Sequence, residues 1–133
     1  MTEHTIGIYF NYDNFDKIDY FNPAPQSWCI YSNLDTNLTF KQNFSKSLRR
    51  LTPQLSGFQY MFIFNSFVEC EQDILSQFLN RYEQESVDTI ISLKEYDVFD
   101  CCLIPHHIFV NDILDKIVNS KRFGVSKYKI IEI

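Results

Sequence analysis

The segment that most limits what this chain can become is 58–64, which reads FQYMFIF and is apolar at nearly every position. A half-exposed strand alternates apolar and polar residues, and an amphipathic helix repeats them every three to four. A short continuous apolar run opened by Gly57 fits neither, and reads as a central strand covered on both faces. Residues 89–93 (TIISL) have the same character. Two such strands require packing layers on both sides of one sheet, so the remaining elements are expected to supply helices above and below.

The rest of the chain divides accordingly. His4 to Asn11 sets Ile6, Ile8 and Phe10 against Gly7, Tyr9 and Asn11, the period of two expected of a strand with one buried face. Residues 12–25 are rich in Asx residues and end in Asn22-Pro-Ala-Pro25, which favours a loop. Ser27 to Ser32 (SWCIYS) reads as a further strand. Phe40, Phe44, Leu48 and Leu51 form one stripe of an amphipathic helix, opposite Lys41, Lys46, Arg49 and Arg50, with Pro53 closing it. Ser66 followed by Glu69 has the pattern of a capping box, and predicts a second helix from Phe67 to Gln84. Val98 to Ile104 is expected to pair with 89–93 across a turn at Glu95-Tyr96-Asp97. Pro105 suits the first turn of a third helix carrying Ile108, Phe109, Ile113, Ile117 and Val118, and Lys127 to Ile133 forms a last strand.

The expected architecture is one α+β (mixed α/β) domain spanning 1–133, a mixed sheet of about five or six strands packed with about three helices. Its predicted core is Ile8, Phe10, Ile30, Phe44, Leu48, Phe62, Phe64, Ile74, Phe78, Ile91, Ile113 and Ile117.

Several function classes are excluded early. The chain has 133 residues, 13 of them Phe and 8 Tyr, enough to build a core without covalent staples. Its glycines, Gly7, Gly57 and Gly124, are too scattered for a phosphate-binding loop. No run approaches the roughly 18 apolar residues of a membrane span, and Met1 to Tyr12 lacks the features of a secretory signal, which together predict a cytoplasmic protein with no membrane role. Cys29, Cys70, Cys101 and Cys102 match neither a redox motif nor a paired zinc motif, and are expected to be reduced, metal-free and mostly buried.

The net charge is −5, unevenly spread: 5 acids against 1 base in residues 1–35, no acid against 4 bases in 36–60, 9 against 2 in 61–100, and 3 against 5 in 101–133. Such a chain is poorly suited to nucleic acid, whose backbone asks for an extended basic surface; the basic stripe of Lys41, Lys46, Arg49 and Arg50 reads as a solvated helix face. Acidic surfaces suit a basic partner.

Cys101, Cys102, His106 and His107 are four possible metal ligands within seven residues, and support an alternative reading as a small metal-binding protein or enzyme. The spacing opposes it, because adjacent residues on a strand point to opposite faces and adjacent residues on a helix diverge by about 100°. Cys102 with His106 lacks the context of a thiol nucleophile, and the carboxylate pairs Asp97/Asp100 and Asp13/Asp16 lie in loops where acids serve solubility. No catalytic residue, metal site or cofactor is predicted.

Protein binding remains. In YDNFDKIDYF (12–21), Tyr12, Phe15, Tyr20 and Phe21 are interleaved with Asp13, Asp16 and Asp19; in EYDVFD (95–100), Tyr96 and Phe99 lie among Glu95, Asp97 and Asp100. Aromatic rings supply contact area at low entropic cost and aspartates supply charge complementarity. The same aromatics could instead cap the core beneath their loops. The candidate partner-binding residues are Tyr12, Asp13, Asp16, Asp19, Tyr20, Glu95, Tyr96, Asp97 and Asp100. In size, acidity and these two clusters the chain resembles the small immunity proteins that bacteria make against their own toxins, including those of contact-dependent inhibition systems. That resemblance implies a non-enzymatic inhibitor that binds a cognate toxin domain, often a basic nuclease, in the cytoplasm. A phage or host adaptor protein is the other interaction reading.

Overall fold

The computed structural model describes residues 4–11, 18–32, 37–38, 42–43, 46, 55–85, 89–109 and 128–133. They form strands β1 (Thr5–Phe10), β2 (Ser27–Tyr31), β3 (Tyr60–Asn65), β4 (Thr89–Ser92), β5 (Cys101–Pro105) and β6 (Lys129–Glu132), with helix α1 (Ile74–Glu83) and a helical turn α2 (His106–Ile108). Two short 3-10 turns, Ile18–Tyr20 and Val98–Asp100, lie in the loops.

All six strands join one mixed sheet in the order β2-β1-β3-β5-β4-β6. β1 runs parallel to β2 and β3, β5 runs antiparallel to β3 and β4, and β6 runs parallel to β4. Both segments expected at the centre are interior strands, and 58–64 and 101–105 form the middle pair. β3 and β4 are parallel to each other with β5 between them, so α1 carries the chain across the place that β5 fills.

Alternation along the strands sorts the core into two layers. Ile6, Ile8 and Phe10 share one face with Met61, Ile63, Ile90, Cys102 and Ile104, beneath Leu55, Phe99, Ile108 and Phe109. Tyr9, Phe62, Phe64, Ile91, Cys101 and Leu103 share the other, covered by Ile74, Leu75, Phe78 and Leu79 of α1 together with Phe21 and Val68. Each α1 side chain so buried contributes roughly 1.5–3 kcal/mol of transfer free energy.

The structure corrects the sequence expectations at four places. β1 is buried at all six positions, not on one face. The aromatic cover comes from outside the strand: Tyr9 stacks on Phe64 at 5.9 Å and meets Trp28 edge-on at 6.0 Å, while the Trp28 indole lies over Gly7, where a side chain would otherwise stand. Ile30, expected in the core, is 49 % exposed, because β2 ends the sheet. The second helix begins at Ile74, not Phe67. Residues 66–73 lend their backbone to neighbouring segments, with Cys70 O accepting from the Tyr20 hydroxyl and Gln72 O from Asn22 N–H at 3.0 Å, and Phe67 is exposed. The strand expected from Val98 begins only at Cys101, after a 3-10 turn in which Asp97 and Asp100 cap each other.

Among the described residues two α-helices have defined bounds where about three were expected, the later one a single turn; Gln42, Asn43 and Lys46 are helical as well, inside the helix expected over 40–51. The basic helix over 40–51 falls, apart from Gln42, Asn43 and Lys46, outside the described residues, as do core candidates Phe44, Leu48, Ile113 and Ile117. Ile8, Phe10, Phe62, Phe64, Ile74, Phe78 and Ile91 are buried as expected.

Candidate functional site

β1 and β3 end side by side, Phe10 opposite Asn65, and the antiparallel β5 starts beside them, Phe64 opposite Cys101. The loops after β1, after β3 and before β5 therefore gather at one end of the sheet. It is also a point where connections diverge, since the chain leaves β1 for β2 on one side and β3 lies on the other. Crevices at such points are where open α/β sheets usually bind ligands.

The loop after β3 is the hub. On one side its Cys70 and Gln72 carbonyls accept from Tyr20 and Asn22. On the other, Glu69 N–H donates to the Tyr96 hydroxyl at 3.1 Å, and Asn65 Nδ2 donates to Asp100 Oδ1 at 2.9 Å. Asp19 and Tyr20 are thereby brought to the same end as Glu95, Tyr96, Asp97 and Asp100, although about 75 residues separate them in sequence. Tyr12, Asp13 and Asp16 lie outside the described residues.

Between these two groups stand Glu69, Glu71 and Asp73, three exposed acids that the sequence reading assigned to a helix start. Their signal was in plain view: three acids in five residues, shortly after the apolar strand β3. Gln77, from the first turn of α1, donates to Glu71 Oε2 at 2.7 Å and Asp73 Oδ1 at 2.8 Å and fixes both carboxylates.

The described aromatics divide between the two roles open to them. Tyr96 is half-buried against the α1-side core and its hydroxyl is taken by Glu69, so it braces the loop. Tyr20 is 40 % exposed, with its ring edge-on to Phe21 at 5.7 Å, and presents apolar surface beside Asp19. The Asp100 carboxyl is perturbed. Burial pushes its pKa up, the Asn65 amide pulls it down, the Asp97 charge pushes it up, and the Asp97 N–H pulls it down, with a net rise.

The Cys/His alternative does not assemble. Cys101 lies in the α1-side core and Cys102 in the opposite one, as strand alternation demands. His106 sits at the far end of β5 with Nδ1 2.7 Å from Phe58 O. Among the described residues, no group of three or more His, Cys, Asp or Glu side chains is placed to hold a metal ion. Burial pushes both thiols well above their ordinary range; Cys101 is raised further by the neighbouring Cys70 thiol. An open cavity of about 410 Å³ beside His106 is lined by Phe58, Gln59, Tyr60, Tyr82, Pro105 and His107, a set with no carboxylate or thiol. Asp97 and Asp100 serve as reciprocal caps, with Asp97 N–H donating to Asp100 Oδ2 at 3.3 Å. No helix among the described residues is long and apolar enough to cross a membrane.

No protein-family model, curated protein or solved structure matches the chain, and its functional reading rests on this geometry and chemistry.

Proposed function

We propose that the chain is a non-enzymatic protein-binding inhibitor, an immunity protein that neutralises a cognate bacterial toxin in the cytoplasm by covering a basic surface of it. The observation that carries this reading is the convergence of Asp19, Glu69, Glu71, Asp73, Glu95, Asp97 and Asp100 on one end of a rigid sheet. Hydrogen bonds from Asn65, Gln77 and Glu69 hold the loops in place, so little ordering cost remains to be met on binding. Clustered carboxylates steer a basic partner and speed its encounter.

The test is to co-express the chain with the product of the gene beside its own and measure binding at low and high salt. Asp19→Asn/Glu69→Gln/Glu71→Gln spares the Asp97–Asp100 cap, and should slow association by tenfold or more and flatten its salt dependence. A folded variant that binds as the wild type does at both salt concentrations would place the interface elsewhere.

A further inference from the structure

The two edges of the sheet that the described strands form are built differently. β6 carries Lys129 and Glu132 at its ends, both exposed, and Lys129 Nζ sits 2.7 Å from Glu85 Oε2. Charges on an edge strand discourage pairing with another chain. β2, at the other edge, reads SWCIY and holds no charge and no proline.

The backbone of β2 is arranged for a further partner. Asn11 N–H donates to Tyr31 O at 2.9 Å, so Tyr31 turns its backbone groups toward β1. By alternation Ser27 and Cys29 do the same, and the backbone groups of Trp28 and Ile30 face outward. The Ile30 side chain, on the same face as Trp28, is 49 % exposed.

We propose that β2 is where a second copy of this chain docks, edge to edge and antiparallel, continuing the sheet across a twofold axis. Centred on Cys29, this pairing sets Trp28 against Ile30 of the partner subunit, and the converse, as two aromatic–β-branched cross-strand pairs. An uncharged strand is the part of a chain of net charge −5 that a like-charged copy can approach. The antiparallel sense also sends the two acidic ends in opposite directions, whereas parallel pairing would bring them together.

Sedimentation velocity of the full chain from about 1 to about 200 µM, the range in which a weak edge dimer populates, tests this. The 15.9 kDa monomer should give way to twice that mass as concentration rises. Added salt should strengthen the dimer, because it screens repulsion between like-charged copies; binding to a basic partner has the opposite salt dependence, so failure here is separable from failure of the inhibitor reading. Ile30→Lys adds a charge at the seam, and Ile30→Pro removes an outward N–H that no described residue accepts. Each should weaken association by tenfold or more while circular dichroism shows the fold retained. Should both variants misfold, Ser27→Lys at an exposed position of the same strand makes the same test.

A wild-type chain that stays monomeric throughout overturns the proposal, as does a dimer that survives these substitutions. So does a monomer whose β2 amides gain exchange protection only when a different protein is added, which would assign the edge to that protein.

Discussion

Gly7→Ala sets two effects against each other. In a strand, alanine should be favoured over glycine by roughly 0.5–1 kcal/mol, because glycine loses more conformational freedom on folding. Here a Cβ would stand 2.9 Å from Pro25 Cγ and closer still to the Trp28 indole, so the indole or the strand must move. Forcing an extra methyl group into a packed site costs about 1–3 kcal/mol. Packing should therefore win, with a net loss of about 1–2 kcal/mol, which lowers the urea midpoint by about 0.5–1 M at the slopes usual for a small domain. Trp28 is the only tryptophan, so its fluorescence reports both the local shift and the global transition. Trp28→Leu should relieve the clash, making the double variant more stable than the sum of the two single changes. A Gly7→Ala protein as stable as the wild type or more so, with unchanged fluorescence, would refute the close approach.

Two further outcomes follow from the core and the acidic end. Phe62→Ala removes a fully buried ring that meets Phe21 edge-on at 5.4 Å and Phe78 at 6.1 Å; chemical denaturation should show a loss of about 3–5 kcal/mol, and a loss below about 1 kcal/mol would place that ring outside the core. Asp100 has a folded pKa raised above the ordinary 3.8, so it binds its proton more tightly when folded; its stabilising contribution is full below the unfolded value and is lost as pH rises through the folded one. Over that window the stability of Asp100→Asn should improve relative to wild type, and a carboxyl titration by NMR that finds Asp100 at or below 3.8 would contradict the burial assigned to it.

What the sequence made legible was what local pattern determines. The unbroken apolarity of 58–64 and 89–93 marked interior strands, and the adjacency of Cys101 and Cys102 placed their thiols in opposite layers. What it hid was set by distant residues. Gly7 and Tyr9 looked like the solvent side of a strand because nothing nearby announces that Trp28 and Phe21 will cover them. Ser66 and Glu69 looked like a helix start, but the Glu69 N–H goes to Tyr96 and the Cys70 carbonyl to Tyr20. Of the candidate site, the clusters at 12–21 and 95–100 were visible as composition. The pairing of β5 with β4 across the turn at 95–97 was legible; that β5 also lies beside β3, so that Asp19 and Tyr20 share one end of the sheet with Glu95–Asp100 and with Glu69, Glu71 and Asp73 between them, was not.

The placing of β5 between β3 and β4 also has a timetable. During synthesis β3 and then β4 leave the ribosome before either has the neighbour that separates them, since β5 ends at Pro105, 13 residues after Ser92. At about 5–20 residues per second the slot stays open for roughly a second. For that interval the edge of Tyr60–Asn65, an apolar strand but for Asn65, is bare. How fast β4 and β5 close as a hairpin and enter the slot thus governs how many newly made chains fold and how many are lost to association with one another.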